Sequence, residues 1–263
     1  MKMNYSKKNF LEKNNIKILI IVRLASKRLK GKAKLKINNL SLIEILILRL
    51  LKYFKPKQII ICTSKKQNNN FFKKILRKYS VNFFAGADKN IFKRIIDCQK
   101  RFKFKNFVRV TGDNPLTDAK SIIDMSTFHI NNKNDFTFTN SLAKGMRPEI
   151  ISMKALIKAS NLANDQLSSE YLTYFFLRKS FKFKKIILKK YLIKENNISV
   201  TIDYKKDFNL MKKILKNDIY KTRKEIILDL KDQKISKVNN KKVSIKNKFY
   251  DVSFKNGDQQ ILL

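Results

Sequence analysis

The chain has 263 residues, 43% of them hydrophobic, and a formal net charge of +40. That length and apolar content support one buried core of α/β size and exclude disorder for the bulk of the molecule, and no uncharged apolar run is long enough to cross a bilayer. Of the 60 basic residues only ten are arginine, and the lysines are spread over the whole chain, a compositional bias rather than a polyanion-binding stripe. Nucleic acid is therefore not an expected partner, while the positive field favours anionic substrates.

Residues 1–15 form a polar, basic extension without the apolar region of a signal peptide, so a cytoplasmic location is expected. Residues 17–22 (KILIIV) form a predicted buried strand, followed by a basic loop. A helix follows over 41–54, with Ser41 and Glu44 spaced as a capping box. Then come a strand over 58–62 ending in Thr63-Ser64, an amphipathic helix over 67–79, a short strand over 81–84, a helix over 88–102 opened by Asp88, and a strand over 106–111. This alternation predicts a mainly parallel sheet with right-handed crossovers, covered on both faces in three layers. Ligands of such sheets bind beyond the carboxyl ends of the strands. The second half reads as a strand over 135–139, helices over 153–163 and 168–180, a basic strand over 183–188, a strand over 198–203, and helices over 207–216 and 222–231. A hairpin is expected around Asn256-Gly257-Asp258.

Cys62 and Cys98 have neither metal-ligand nor disulfide-framework spacing, which fits a reducing compartment. One histidine, His129, rules out a multi-His zinc site and leaves no Ser-His-Asp arrangement.

The residues that carry chemistry fall in blocks at the predicted strand ends. Val108-Arg109-Val110-Thr111-Gly112-Asp113-Asn114-Pro115 is an apolar strand running into a turn that leaves Asp113 on a loop. There Gly112 permits close approach of backbone and Pro115 fixes the exit. The segment Arg23-Leu-Ala-Ser26-Lys-Arg28-Leu-Lys-Gly31-Lys32 places cations, a hydroxyl and a glycine directly after the first strand, a composition suited to phosphate oxygens. Arginine in a lysine-biased chain points to a need for forked donors. Asp113 and Asp203 each end a predicted strand, and two such carboxylates brought together call for a cation between them. Oxygen ligands of that kind suit Mg²⁺, which takes one or two carboxylates plus substrate phosphates such as those of a nucleoside triphosphate. Asp207 reads as a helix N-cap.

Taken in order, Arg23-x-x-Ser26-x-Arg28-x-x-Gly31-Lys32, Gly86 with Asp88 and Arg94, Arg109-x-Thr111-Gly112-Asp113-x-Pro115, Gly145-x-x-x-Glu149, Glu170-x-x-Thr173 and Thr201-x-Asp203-x-x-x-Asp207 resemble the CMP-sugar synthetase (cytidylyltransferase) family. The nearest branch is the spore-coat polysaccharide type, similar to the 3-deoxy-manno-octulosonate and acylneuraminate cytidylyltransferases. The resemblance implies a nucleotide-diphospho-sugar transferase fold and transfer of CMP from CTP to a sugar acid with release of pyrophosphate, for surface polysaccharide or glycan synthesis. It implies a nucleotide site of Arg23, Ser26, Arg28, Gly31, Lys32, Thr63, Asp88, Arg94, Arg109 and Gly112, with Arg23, Lys32 and Asp113 catalytic. Arg147, Glu149 and Glu170 fall on the sugar side, and Asp113 with Asp203 would hold Mg²⁺. Departures are Lys30 for a usual proline, Asn39 for a common glycine, Tyr171 for a frequent histidine and Tyr204 for a frequent threonine.

The nucleotidyltransferase domain is expected over 16–216, with a charged extension over 217–263, and a homodimer is expected. Two rival readings are a metal-dependent nucleotide-sugar glycosyltransferase and a basic nucleic-acid-binding protein. A phosphate loop at 23–32 argues against the first, and the lack of a recognisable binding module against the second.

Overall fold

A computed structural model describes residues 10–24, 28–65, 69–163, 172–177, 180–188, 198–232, 251–255 and 258–262. A single turn of helix, α1 (Phe10–Lys13), leads into β1 (Ile16–Ile21). Alternate residues of β1 supply opposite faces: Ile18 and Ile20 enter one core, Leu19 and Ile21 the other. That period of two with both faces buried is what makes the run a central strand. After the basic loop come a short hairpin, β2 (Lys36–Ile37) and β3 (Leu40–Ser41), and α2 (Leu42–Leu51). The capping box at Ser41 and Glu44 is present, with the Glu44 amide donating to Ser41 Oγ and the Ser41 amide to Glu44 Oε2 at 2.9 Å.

The alternation then continues through β4 (Ile59–Ser64), α3 (Asn70–Tyr79), β5 (Asn82–Gly86), α4 (Ile91–Phe102) and β6 (Asn106–Thr111). Next are α5 (Ala119–Asn131), β7 (Phe136–Phe138), β8 (Glu149–Ser152), α6 (Met153–Leu162), a 3₁₀ segment (Leu172–Leu177) and β9 (Phe183–Lys185). The chain continues with α7 (Lys205–Leu215), α8 (Arg223–Asp232) and a hairpin of β10 (Asp251–Lys255) and β11 (Asp258–Leu262).

The seven-stranded sheet has the order β5-β4-β1-β6-β8-β7-β9. β5, β4, β1 and β6 run parallel, β8 runs antiparallel to both of its neighbours, and β9 is parallel to β7. Residues of α2, α5, α7 and α8 fill the core on one face and residues of α4, α6 and the 3₁₀ segment the core on the other, which is the three-layer α/β architecture expected from the sequence. No helix of the described residues is long and apolar enough to cross a membrane.

Three local expectations fail, and two elements stand where none was expected. Asp88 does not open α4; Asn90 caps it, its side chain accepting from the Lys93 amide at 2.9 Å. Residues 198–203 pair with no strand: Val200 donates to the Lys144 carbonyl at 2.8 Å and Ile202 to that of Asp113 at 3.2 Å, so the segment is extended but tied to loops. The expected helix over 168–180 is a 3₁₀ segment within its described part. The helix α5 and strand β8 were not anticipated. The buried face of α5 carries Ser121, Ser126 and His129 among its apolar residues, which blurs the helical period, and β8 is only four residues long.

Candidate active site

The loop after β1 is turned by Gly31, whose φ of 62° is left-handed, a conformation that disfavours any residue with a Cβ. The turn directs Lys32, one residue on, beneath the sheet edge. There Lys32 Nζ donates to Asp113 Oδ2 at 2.6 Å, to the Ile202 carbonyl at 3.1 Å and to Asp203 Oδ1 at 3.3 Å. Arg28, on the same loop, reaches Asp203 Oδ1 with Nη2 at 2.9 Å. Four charged side chains from three separated segments thus meet at the carboxyl ends of β1 and β6.

Each partner is held there by its own backbone. Gly112 donates to the Ile21 carbonyl at 3.0 Å, continuing the β1–β6 ladder by one rung. A Cβ on Gly112 would lie 2.6 Å from Cγ2 of Val22, so the close approach that presents Asp113 is open only to glycine. Asn114 Nδ2 donates to Thr111 Oγ1 at 2.8 Å and closes the turn. On the other side, Asp207 Oδ2 accepts from the Asp203 amide at 2.9 Å and the Tyr204 amide at 2.8 Å. Asp207 is therefore not the N-cap expected from sequence; Tyr204 holds that position, and Asp207 in the first turn of α7 clamps the loop that carries Asp203. Gly145, at φ 91°, lies so close to Val200 and Thr201 that an added Cβ would come within 2.7 Å of the Thr201 amide, bracing the same loop from behind.

Burial works to raise the Asp113 carboxyl, but the Lys32 ammonium, by charge and by hydrogen bond, and the Thr111 hydroxyl outweigh it and hold the group ionised below its ordinary range. Two carboxylates and a main-chain carbonyl converging on one point are hard oxygen donors of the kind a divalent cation such as Mg²⁺ accepts, and the residues fit that ion. Among the described residues no three His, Cys, Asp or Glu side chains cluster, so the remaining ligands of such an ion have to come from substrate and water.

A second group lies at the ends of β4 and β5. Ser64 Oγ donates to Asp88 Oδ1 at 2.5 Å, and Asn69 Nδ2 donates to the Ser64 carbonyl at 3.1 Å. Arg94 is 1% exposed, and its guanidinium donates through Nε to the Ala87 carbonyl at 2.7 Å and through Nη2 to that of Asp88 at 2.5 Å. It therefore shapes the 86–88 loop from inside. Burial first, and then the charge of neighbouring Arg23, lowers its pKa. Thr63 is fully buried in β4, and Arg23 is exposed at the end of β1.

In a third group, Arg109 Nη1 and Glu149 Oε2 pair at 2.5 Å across the β6–β8 register, so the residue assigned to nucleotide and the one assigned to sugar neutralise each other. Arg147 folds onto its own loop, donating through Nε to the Leu142 carbonyl at 2.5 Å. Ser26 and Glu170 lie outside the described residues. Asp207 and Ser64 join the site without having been assigned to it from sequence, where Asp207 reads only as a helix N-cap and Ser64 only as a strand end; a carboxylate in the first turn of a helix that begins just after Asp203 is the available signal for the first.

His129 is a core residue, its ring within 2.9 Å of Thr137 Oγ1, and burial pushes its pKa down to about 4. Cys62 and Cys98 are free and buried.

Residues 17–244 match the family described as Cytidylyltransferase. An uncharacterized protein of Methanocaldococcus jannaschii is 32% identical over 235 residues, spanning 88% of this chain and 96% of that protein. The spore coat polysaccharide biosynthesis protein SpsF of Bacillus subtilis is 26% identical over 153 residues, 57% of this chain and 64% of SpsF. Among solved structures, a cytidylyltransferase from Leptospira borgpetersenii superposes with a TM-score of 0.74 at 22% identity, covering 84% of this chain and 95% of that one. A CMP:2-keto-3-deoxy-manno-octonic acid synthetase complexed with CTP superposes with a TM-score of 0.58 at 10% identity, covering 76% and 98%. At these identities the two structures speak for the fold.

Proposed function

This chain belongs to the cytidylyltransferase family, and from that premise we propose that it transfers CMP from CTP to a hydroxyl of a sugar acid, releasing pyrophosphate, in the synthesis of a surface polysaccharide or glycan. The family makes it a CTP-dependent nucleotidyltransferase and removes the glycosyltransferase alternative. The polysaccharide is supported by the likeness to SpsF, and the sugar acid by the order of the motifs.

The observation that carries the reading is the convergence of Lys32 and Arg28 with Asp113 and Asp203 at the carboxyl edge of the parallel strands. An in-line attack of the sugar oxygen on the α-phosphorus forms one P–O bond and breaks the bond to the β-phosphate bridge. The chain's part is positioning and charge stabilisation. Arg23, Arg28 and Lys32, on one loop after β1, hold the triphosphate and neutralise the charge that builds on the leaving pyrophosphate. Asp113 and Asp203 hold Mg²⁺, which when bound shields phosphate charge and orients the reacting groups. Arg94 fixes the carbonyls of Ala87 and Asp88 and so sets the shape of the loop that faces the nucleotide from β5. Glu149, paired with Arg109 of the nucleotide site across β6 and β8, serves the sugar side together with Arg147.

Pyrophosphate release measured for each of the four nucleoside triphosphates, against a panel of keto-sugar acids and neutral sugars, tests the reading. Turnover with CTP and a keto-sugar acid is expected. Turnover only with neutral sugars or sugar alcohols overturns the acceptor class.

A further inference from the structure

The ammonium of Lys32 occupies the point on which the three oxygens of the cation site converge. Its three protons meet three acceptors: Asp113 Oδ2 at 2.6 Å, the Ile202 carbonyl at 3.1 Å and Asp203 Oδ1 at 3.3 Å. A lysine ammonium has three donors and no acceptor, so this is a fully satisfied position. A divalent ion seated on these same three oxygens needs them at about 2.0–2.1 Å, and the nitrogen, 2.6 Å from Asp113 Oδ2, already fills that position. The two cations exclude each other by volume as well as by charge.

We infer that Lys32 is the resident counter-ion of this site and makes metal loading conditional on a polyphosphate. The inference rests on the metal reading given above. Without ligand, Asp113 and Asp203 face each other across one nitrogen, and the ammonium relieves their repulsion. Lysine carries a compact charge on a flexible four-carbon stem and can leave; the Arg28 guanidinium meets Asp203 Oδ1 at 2.9 Å from the solvent side. A triphosphate offers the ammonium new anionic acceptors, and once it turns to them the carboxylates are free for a divalent ion. Each ligand then strengthens the binding of the other, by the same factor in both directions. A bare divalent cation has to displace Lys32 with nothing to receive it and binds weakly.

The test uses the full chain and Mn²⁺ alone, without nucleotide, followed by the electron paramagnetic resonance signal of free Mn²⁺. Wild type, Lys32→Met and Lys32→Gln are titrated after their thermal unfolding midpoints establish that each is folded; the glutamine variant serves if the methionine one is not. Both variants are expected to bind one Mn²⁺ per chain at least tenfold more tightly than wild type, and Asp113→Asn added to either is expected to abolish that gain. If wild type and variants bind alike while turnover of the wild type is abolished by EDTA, the inference falls and the metal reading stands. If they bind alike and turnover is indifferent to EDTA, both fall.

Discussion

At the scale of single residues, the site is built from charges whose value depends on one another. Asp113→Asn removes the carboxylate proposed to hold the cation from a half-buried loop without opening a cavity, so turnover is expected to fall by at least 10³-fold, an order-of-magnitude figure for loss of a transition-state electrostatic partner, while the unfolding midpoint barely moves. Asp203→Asn is expected to do the same. Because both serve one point, the double variant should cost little more than either single one, which steady-state pyrophosphate release reads directly. His129 gives a pH-dependent prediction. Its pKa is pushed from 6.5 down to about 4 by burial, so the folded state prefers the neutral ring. The stability this represents, roughly 3 kcal/mol, is present above the unfolded value of 6.5 and is lost as pH falls from there toward 4. Urea unfolding between pH 7 and 4 should show that loss, and His129→Gln should flatten it; an equal slope in the variant would assign it to other groups.

At the scale of elements, two turns decide where the carboxylates stand. Gly112→Ala places a methyl 2.6 Å from Val22 Cγ2, and an overpacked contact of that kind costs about 1–3 kcal/mol. It also displaces Asp113, so the fall in turnover should exceed the fall in stability. Asp207→Ala removes the acceptor shared by the Asp203 and Tyr204 amides, a loss of about 1 kcal/mol for a helix-terminus acceptor. Turnover should fall with it because the Asp203 loop is released, and Asp207→Asn, which keeps an oxygen acceptor, should restore most of both. The comparison of unfolding midpoint with kcat across Ala and Asn separates the clamp from simple capping. Legibility was uneven at this scale. The strands β1, β4 and β6 and the capping box of α2 announce themselves by continuous apolar runs and by side-chain spacing, both local signals. The segment 198–203 carries the same apolar alternation as a strand, yet its hydrogen bonds go to Lys144 and Asp113, partners that lie far away in the chain.

At the scale of the whole molecule, α8 is bound to the body of the sheet. Arg223 Nη1 reaches Asp118 Oδ2 at 3.0 Å, Arg49 Nη1 donates to the Ile219 and Lys221 carbonyls at 2.7 and 3.0 Å, and Ile226 and Leu230 are buried in the same core as Ile18 and Ile20. Truncation after residue 216 uncovers those two side chains' partners and leaves Asp118, 8% exposed, without its arginine. Burial of two such side chains alone is worth about 3–6 kcal/mol, so the truncated chain is expected to unfold at a markedly lower urea midpoint. An unchanged midpoint would make α8 an appendage. Other features were open to the sequence alone. They include the α/β alternation, the positions of Arg23, Arg28, Lys32 and Asp113 just beyond strand ends, and the glycines at the two turns, because each follows from periodicity or from a backbone requirement within a few residues. Only the tertiary structure could show that Lys32 stands between the two aspartates, that Arg94 supports a loop from within, that Arg109 and Glu149 answer each other, and that Asp207 clamps Asp203. Those pairings join segments far apart in the chain, or depend on which way a side chain turns once the core is closed, and nothing in local composition determines either.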